Sequence, residues 1–324
     1  MIRAFTRAAL LLFFVNPVTV SFSQILQTAA PSFVQVSEER LQRVDGLMQQ
    51  YIDSGWINGA TAIIARNGKI IYYKGLGYDD AGTKKPLQKD AIMRIASQTK
   101  AITSVAVMML YEEGKFLLDD AVSKYIPEFK NPVVLDSFNE SDTTYTTVPA
   151  KSEITIRQLL THTSGIQYAQ IGSKIFKAIY AKAGIVAGIG VDRIKLADVM
   201  KKLGPLPLAH QPGEKFTYGL NTDLLGYLVE VVSGMSFDVF LKKRIFDPLG
   251  MKDTWFYLPA DKQNRLATLY TEDDNKHLKK AEETMNINGI FYTNYPNMND
   301  TYFSVGGGLA STAYDYAIFM QMLL

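Results

Sequence analysis

Between Ser37 and Gly55, the apolar residues Leu41, Val44, Leu47, Met48 and Tyr51 fall three and four positions apart. This spacing predicts an amphipathic helix with Ser37 as its N-cap and Gly55 as its stop. The period then changes. In ATAIIARNGKIIYYKGLGY two runs rich in β-formers flank Asn67-Gly68, the dipeptide of a type I′ turn, and predict a hairpin. Residues 97 to 250 read mainly as helices, over 98–113, 156–162, 194–203, 222–233 and 236–246. Gly114, Gly165, Gly204, Gly234 and Gly250 punctuate them. Residues 260–303 are polar and turn-rich, and little after residue 80 reads as a strand. VGGGLASTAYDYAIFMQMLL closes the chain with a glycine run entering a helix.

Of the 324 residues, 47% are hydrophobic and 20% charged, an ordinary globular balance with room for a sizeable core or two subdomains. The net charge of +2 gives no reason to expect nucleic acid or an anionic membrane as partner. With no cysteine there is neither a disulfide framework nor thiolate chemistry. At the N-terminus Arg3 and Arg7 precede the apolar run Ala8 to Val15, and Ser21 and Ser23 stand two residues apart before Gln24. The run is short for a membrane span and predicts a secretory signal peptide over 1–23. The expected location is the bacterial periplasm or the outside of the cell, with no stable membrane span after processing.

The candidate chemistry lies in MRIASQTKAITSVAVMMLYEEGK. Ser97 and Lys100 are three apart, hence neighbours on one helix face, at the mouth of an otherwise apolar helix. An amine buried there is pushed toward its neutral form and can take a proton from the serine, and the helix N-terminus favours a developing oxyanion. The competing reading makes Ser97 a helix cap and Lys100 a first-turn surface residue.

A serine–lysine pair needs a second proton carrier for the leaving group. Tyr292-Thr293-Asn294 and Tyr295-Pro296-Asn297 sit in an Asn-rich stretch and read as turn or solvated-loop residues. Tyr218, in QPGEKFTYGLNTDLLGYLVEVVSG, follows the Pro212-Gly213 turn at a helix entrance and is the better candidate. Its structural alternative is a half-buried tyrosine sealing the turn. For Asn221 the structural alternative is an N-cap or turn residue. His162, in LLTHTSG, reads as a structural hydrogen-bonding residue. The three histidines form no metal-ligand pattern and no Gly-x-Ser-x-Gly accompanies them. GLGYDD and GIVAGIG lack the dinucleotide-binding pattern, and no cofactor is expected.

Residues from about 40 to 324 resemble the serine β-lactamase-related family, which includes class C β-lactamases, D,D-peptidases and family VIII carboxylesterases. The resemblance rests, in order, on DAIMRIASQTKAITSVAVMMLYEEGKFLLDDAVSKYIPEF, ITIRQLLTHTSGI, QPGEKFTYGLNTDLLGYLVEVVSG, IFDPLGMKDTWF and VGGGLASTAYDYAIFMQMLL. It implies Ser97 as acylated nucleophile, Lys100 as its proton acceptor, Tyr218 as second acid/base and Asn221 as a candidate substrate contact. It also implies an α+β fold of the β-lactamase/transpeptidase type, a helical domain packed on an antiparallel sheet flanked by helices. The division expected is 24–96 and 259–324 to the sheet domain and 97–258 to a mainly helical domain.

Two departures shift the expectation. Family members acting on β-lactams or D-amino-acid peptides carry Tyr-x-Asn, whereas position 220 is leucine and asparagine comes one place later. Esters or small amides therefore become the favoured substrates. The family's third element, a Lys-Thr-Gly, His-x-Gly or Trp-x-Gly strand, has no counterpart after Tyr218. Lys182-Ala183-Gly184 and Lys202-Leu203-Gly204 match loosely, both before the tyrosine and in or beside predicted helices. Together with a last helix that runs uncapped to Leu324, this leads us to expect an incomplete sheet and a chain that stops short of the full fold. The alternatives are a D,D-peptidase or class C-type β-lactamase and, outside enzymes, a penicillin-recognising or peptidoglycan-binding protein or an inactive fragment.

Overall fold

The computed structural model describes residues 26–186, 189, 194–286, 290–298 and 302–324. The signal-peptide reading of residues 1–23 falls outside them, as do parts of GIVAGIG and of the Asn-rich stretch. A two-residue strand β1 (Gln27–Thr28) leads to α1 (Glu38–Asp53), where the Ser37 side chain accepts from the Arg40 amide as the sequence predicts. Leu47 and Tyr51 nevertheless stay exposed, so only part of the periodic stripe reaches the sheet. The hairpin β2 (Gly59–Arg66) and β3 (Lys69–Asp80) turns at Asn67-Gly68, both in the left-handed region that a type I′ turn requires. The sheet order is β1-β3-β2, with β4 (Lys85–Pro86) appended to β3.

The next strand, β5 (Met93–Arg94), runs into a 3₁₀ turn over Ala96–Gln98 and then into α2 (Thr99–Glu112). The helical side follows as α3 (Ile156–Leu160), α4 (Lys174–Ala183), α5 (Leu196–Leu203), α6 (Asn221–Ser233), α7 (Phe237–Leu241) and α8 (Asp247–Leu249). Helix α4 went unpredicted, and the segment expected as one helix over 236–246 passes through a π turn at Lys242–Phe246. On α2, Ile102, Ala106, Val107 and Leu110 form one buried stripe facing α6, whose residues Asn221–Val229 are all buried. Ile102, Val107 and Leu110 each contribute about 1.5–3 kcal/mol by burial, and Ala106 less. One apolar cluster runs from Leu26 and Ile70 in the sheet through these helices to Phe319.

Strands after residue 80 are more numerous than the sequence suggests. A hairpin β6 (Val133–Phe138) and β7 (Tyr145–Pro149) projects from the helical side. The polar region holds β8 (Tyr270–Glu272) with β9 (Leu278–Lys280) and β10 (Thr284–Asn286) with β11 (Ile290–Tyr292). Most are too short for an alternating pattern to show. Tyr295 and Thr293 also depart from the solvated-loop expectation: both are buried. The Arg94 guanidinium donates to the carbonyls of Tyr295, Ala267 and Thr293 and clamps this segment to β5.

After the glycine run, β12 (Ala310–Ser311) pairs antiparallel with β5, and α9 (Ala313–Leu323) packs on β2. Thr312 caps α9, and the buried Asp315 accepts from the Asp253 amide and the Thr254 hydroxyl. Among the described residues no single helix is long and apolar enough to cross a membrane, and no cluster of His, Asp and Glu is placed to hold a metal ion.

Candidate active site

Ser97 is exposed, one residue beyond Ala96, whose φ of 44° lies in the left-handed region. That conformation costs a non-glycine residue about 1–2 kcal/mol and is found at functional turns. It sets Ser97 at the mouth of the fourteen-residue α2, where the helix dipole favours negative charge. One turn on, Lys100 lies on the same face, its Nζ 3.3 Å from Ser97 Oγ.

Helix α2 does not bury Lys100 in apolar surroundings, as its composition suggested. Its apolar side chains point into the core, and the half-buried Lys100 extends between two tyrosine rings. Its Nζ is 4.8 Å from the Tyr218 ring centre and 5.6 Å from that of Tyr168. It donates to the Gly306 carbonyl at 2.6 Å. A carbonyl and two aromatic faces are surroundings suited to a cation.

The glycine run reaches this position through β12. Thr103 donates to the Val305 carbonyl at 2.8 Å, Leu309 donates to the Thr99 hydroxyl at 3.1 Å, and Ile95 donates to the Leu309 carbonyl at 3.0 Å. Glycine is required at 306: a Cβ there would lie 2.7 Å from Asp223 Oδ2 and 3.2 Å from the Tyr168 hydroxyl.

Tyr218 is about one third exposed and its hydroxyl is 2.8 Å from Ser97 Oγ. Its loop is pinned from both sides. Thr217 donates from its amide to the His162 carbonyl at 2.7 Å, and its hydroxyl meets His210 Nε2 at 2.8 Å. Gly219 approaches Ile166 so closely that a Cβ would lie 2.0 Å from its carbonyl oxygen. The His162 ring lies beside that of Tyr218 at 5.1 Å, and its Nδ1 accepts from Asn221 Nδ2 at 3.0 Å and from the Gly219 amide at 3.4 Å. Burial, and then the charge of Lys100, lower the His162 imidazole to about 4. These hydrogen bonds agree with the structural hydrogen-bonding role that the sequence predicts for His162.

Asn221 lies inside the fold. It is fully buried in the first turn of α6, its carbonyl oxygen taken by the Ser164 hydroxyl and its amide by His162. Both ends of its amide are thus engaged within the protein, where they hold the Tyr218 loop. Leu220 is likewise buried in the core. The Tyr292 and Tyr295 motifs do not supply the tyrosine beside Ser97, and the two loose Lys-x-Gly matches end α4 and α5. Sequence reasoning missed Tyr168, Asp223 and Gly306, which reach the site only through tertiary packing. Asp223, five residues after Tyr218 in the same quoted motif, was the one within reach.

Burial on its own would raise the Tyr218 phenol, but hydrogen bonds and charge from Lys100, with the Ser97 hydroxyl, bring it below its ordinary value. With Lys100 donating to Ser97 Oγ, the single serine proton is left to point at the Tyr218 oxygen. The line Lys100, Ser97, Tyr218 can therefore strip a proton from the serine and hold it beside the nucleophile.

This fold and cleft are those of the β-lactamase/transpeptidase type. The Beta-lactamase family model matches residues 44–324, and the chain belongs to that family. It is 35% identical over 278 residues to the Mycobacterium tuberculosis protein MT1414, covering 86% of this chain and 65% of that one. It is 32% identical to Esterase EstB of Burkholderia gladioli over 66% of this chain and 51% of the esterase. Among solved structures it superposes on EstCE1, described as a hydrolase with promiscuous acyltransferase activity, with a TM-score of 0.73. The identity is 29%, over 86% of this chain and 70% of EstCE1. The chain thus spans just under two thirds of its Mycobacterium relative and about half of the esterase.

Proposed function

We propose that the protein is an exported serine hydrolase that acts through an acyl-enzyme, with esters as its favoured substrates. The observation that carries this reading is the position of Ser97 Oγ, 2.8 Å from the Tyr218 hydroxyl and 3.3 Å from Lys100 Nζ. With the Tyr218 hydroxyl first ionised to the phenolate that Lys100 favours, Ser97 attacks the carbonyl carbon and its proton passes to the phenolate oxygen. We thus move the first acceptor role from Lys100, where the sequence put it, to the Lys100–Tyr218 pair. The new Oγ–C bond forms, the C–O bond to the leaving alkoxide breaks, and Tyr218 returns the proton to that alkoxide. Water then adds to the acyl carbon as the Tyr218 phenolate takes its proton, and Tyr218 passes that proton to Ser97 Oγ as the C–Oγ bond breaks and the acid departs.

The ester preference is supported by the similarity to proteins described as an esterase and as a hydrolase with acyltransferase activity. It is also supported by the burial of both Leu220 and Asn221, which keeps these two side chains from a substrate's acylamino group. Export rests on the leader pattern of residues 1–23. The test is turnover of short-chain p-nitrophenyl esters against a chromogenic cephalosporin. The reading expects ester turnover lost in Ser97→Ala and little cephalosporin turnover. Ester turnover surviving in Ser97→Ala overturns it, and a cephalosporin adduct without turnover points to a penicillin-recognising protein.

A further inference from the structure

The mechanism above leaves a buried acid unused. Asp223 is 1% exposed; no side chain hydrogen-bonds either carboxylate oxygen, and only the backbone amides of Gly306 and of Asp223 itself come close enough to favour its charge. A buried carboxylate without a side-chain partner costs the fold more than a neutral side chain of the same shape would. Its position is the informative part. Its Oδ2 lies 2.7 Å from where a Gly306 Cβ would stand, and the carbonyl of that same glycine accepts from Lys100 Nζ at 2.6 Å. One glycine, with no side chain to intervene, separates the carboxylate from the lysine.

We propose that Asp223 is the buried counter-charge of the Ser97–Lys100–Tyr218 site, a positioning residue that sets the pH at which the site can take up the serine proton. This rests on the hydrolase reading above. The ionisable groups that face Asp223 are Lys100 from α2, Tyr168 from the segment after α3 and Tyr302 from the segment before the glycine run. Burial, and secondarily the Asp223 charge, hold the phenols of Tyr168 and Tyr302 above their ordinary values, so they stay neutral. Lys100 is then the one cation facing the carboxylate among the described residues. Burial lifts the Asp223 carboxyl to about 6 against the opposing pull of Lys100, so the group is an anion at neutral pH and above. A nearby anion makes loss of a proton harder for an ammonium and for a phenol alike. Removing it therefore moves the basic form of the site to lower pH, whichever partner carries the proton.

The experiment follows the rate of covalent labelling by a fluorophosphonate, read by intact mass from pH 5 to 10. It compares the wild-type protein, Asp223→Asn, Asp223→Ser and, as a control for lost polarity without lost charge, Tyr302→Phe. The rise of rate with pH should move down by about one pH unit in both Asp223 variants, giving up to about ten-fold faster labelling below the wild-type midpoint. Tyr302→Phe should keep the wild-type midpoint. A midpoint unchanged or raised in the Asp223 variants overturns the proposal. So does loss of cooperative unfolding in both, which would make the carboxylate structural. A wild-type protein that labels at no pH instead removes the hydrolase reading itself, and the proposal with it.

Discussion

The hydroxyls of Ser97 and Tyr218 lie 2.8 Å apart, although 121 residues separate them along the chain. Ser97 belongs to the turn that opens α2 and Tyr218 to the loop that opens α6, and these two helices pack against each other. Their meeting is therefore a consequence of the buried helix pair, and the chemistry depends on that packing as much as on the residues themselves.

If Tyr218 carries the proton, Tyr218→Phe keeps the ring against His162 and Tyr168 but removes the acceptor. Ester kcat should fall by about 10²–10⁴ with little change in melting temperature. Steady-state kinetics beside a thermal melt checks this. An active Tyr218→Phe would return the acceptor role to Lys100 alone.

The buried amide of Asn221 holds Ser164 and His162, so Asn221→Ala should lower stability by roughly 1–3 kcal/mol in denaturant unfolding. A lost substrate contact would instead raise KM in a protein of unchanged stability.

Asp223 bears on stability as well as on the site. Burial raises its carboxyl in the folded protein, from an ordinary 3.8 to about 6. Between those values the native state binds more protons than the unfolded one, so this group's contribution is full below pH 3.8 and is lost as pH rises through 6. Asp223→Asn should therefore be more stable than wild type at pH 7–8, by the order of 2–3 kcal/mol, with the gap closing toward pH 4. Melts across that range measure it.

His162 has the opposite sign. Its folded value of about 4 lies below the ordinary 6.5, so the unfolded chain binds the extra proton. Its contribution is intact above pH 6.5 and is lost as pH falls toward 4. Wild-type stability should fall over that window more steeply than that of His162→Gln.

The guanidinium of Arg94, lowered by burial to about 10, donates to the carbonyls of Ala267, Thr293 and Tyr295 beside β5. Arg94→Ala strands those acceptors and should cost about 2–4 kcal/mol, read by chemical denaturation.

The sequence made legible what is local. Ser97 and Lys100 are one helical turn apart, the Asn67-Gly68 turn declares its own geometry, and Ser37 caps its helix through a contact three residues long. Tyr218 was legible because a turn and a helix start frame it. The burial of Asn221 was not legible, because its spacing from Tyr218 says nothing about which way it faces, and the first turn of α6 aims it inward. Gly306 and Lys100 meet 206 residues apart, and Asp223 stands behind both, so only the packed core reveals them. Strands of two or three residues, such as β5 and β12, carry no periodic signal at all.

The most direct measurement is the intact mass of the protein after exposure to a fluorophosphonate, followed by peptide mapping, for the wild type and Ser97→Ala. A single adduct on Ser97, absent from the variant, is the predicted result. An adduct that persists in Ser97→Ala, or one that maps to another residue, would contradict the account.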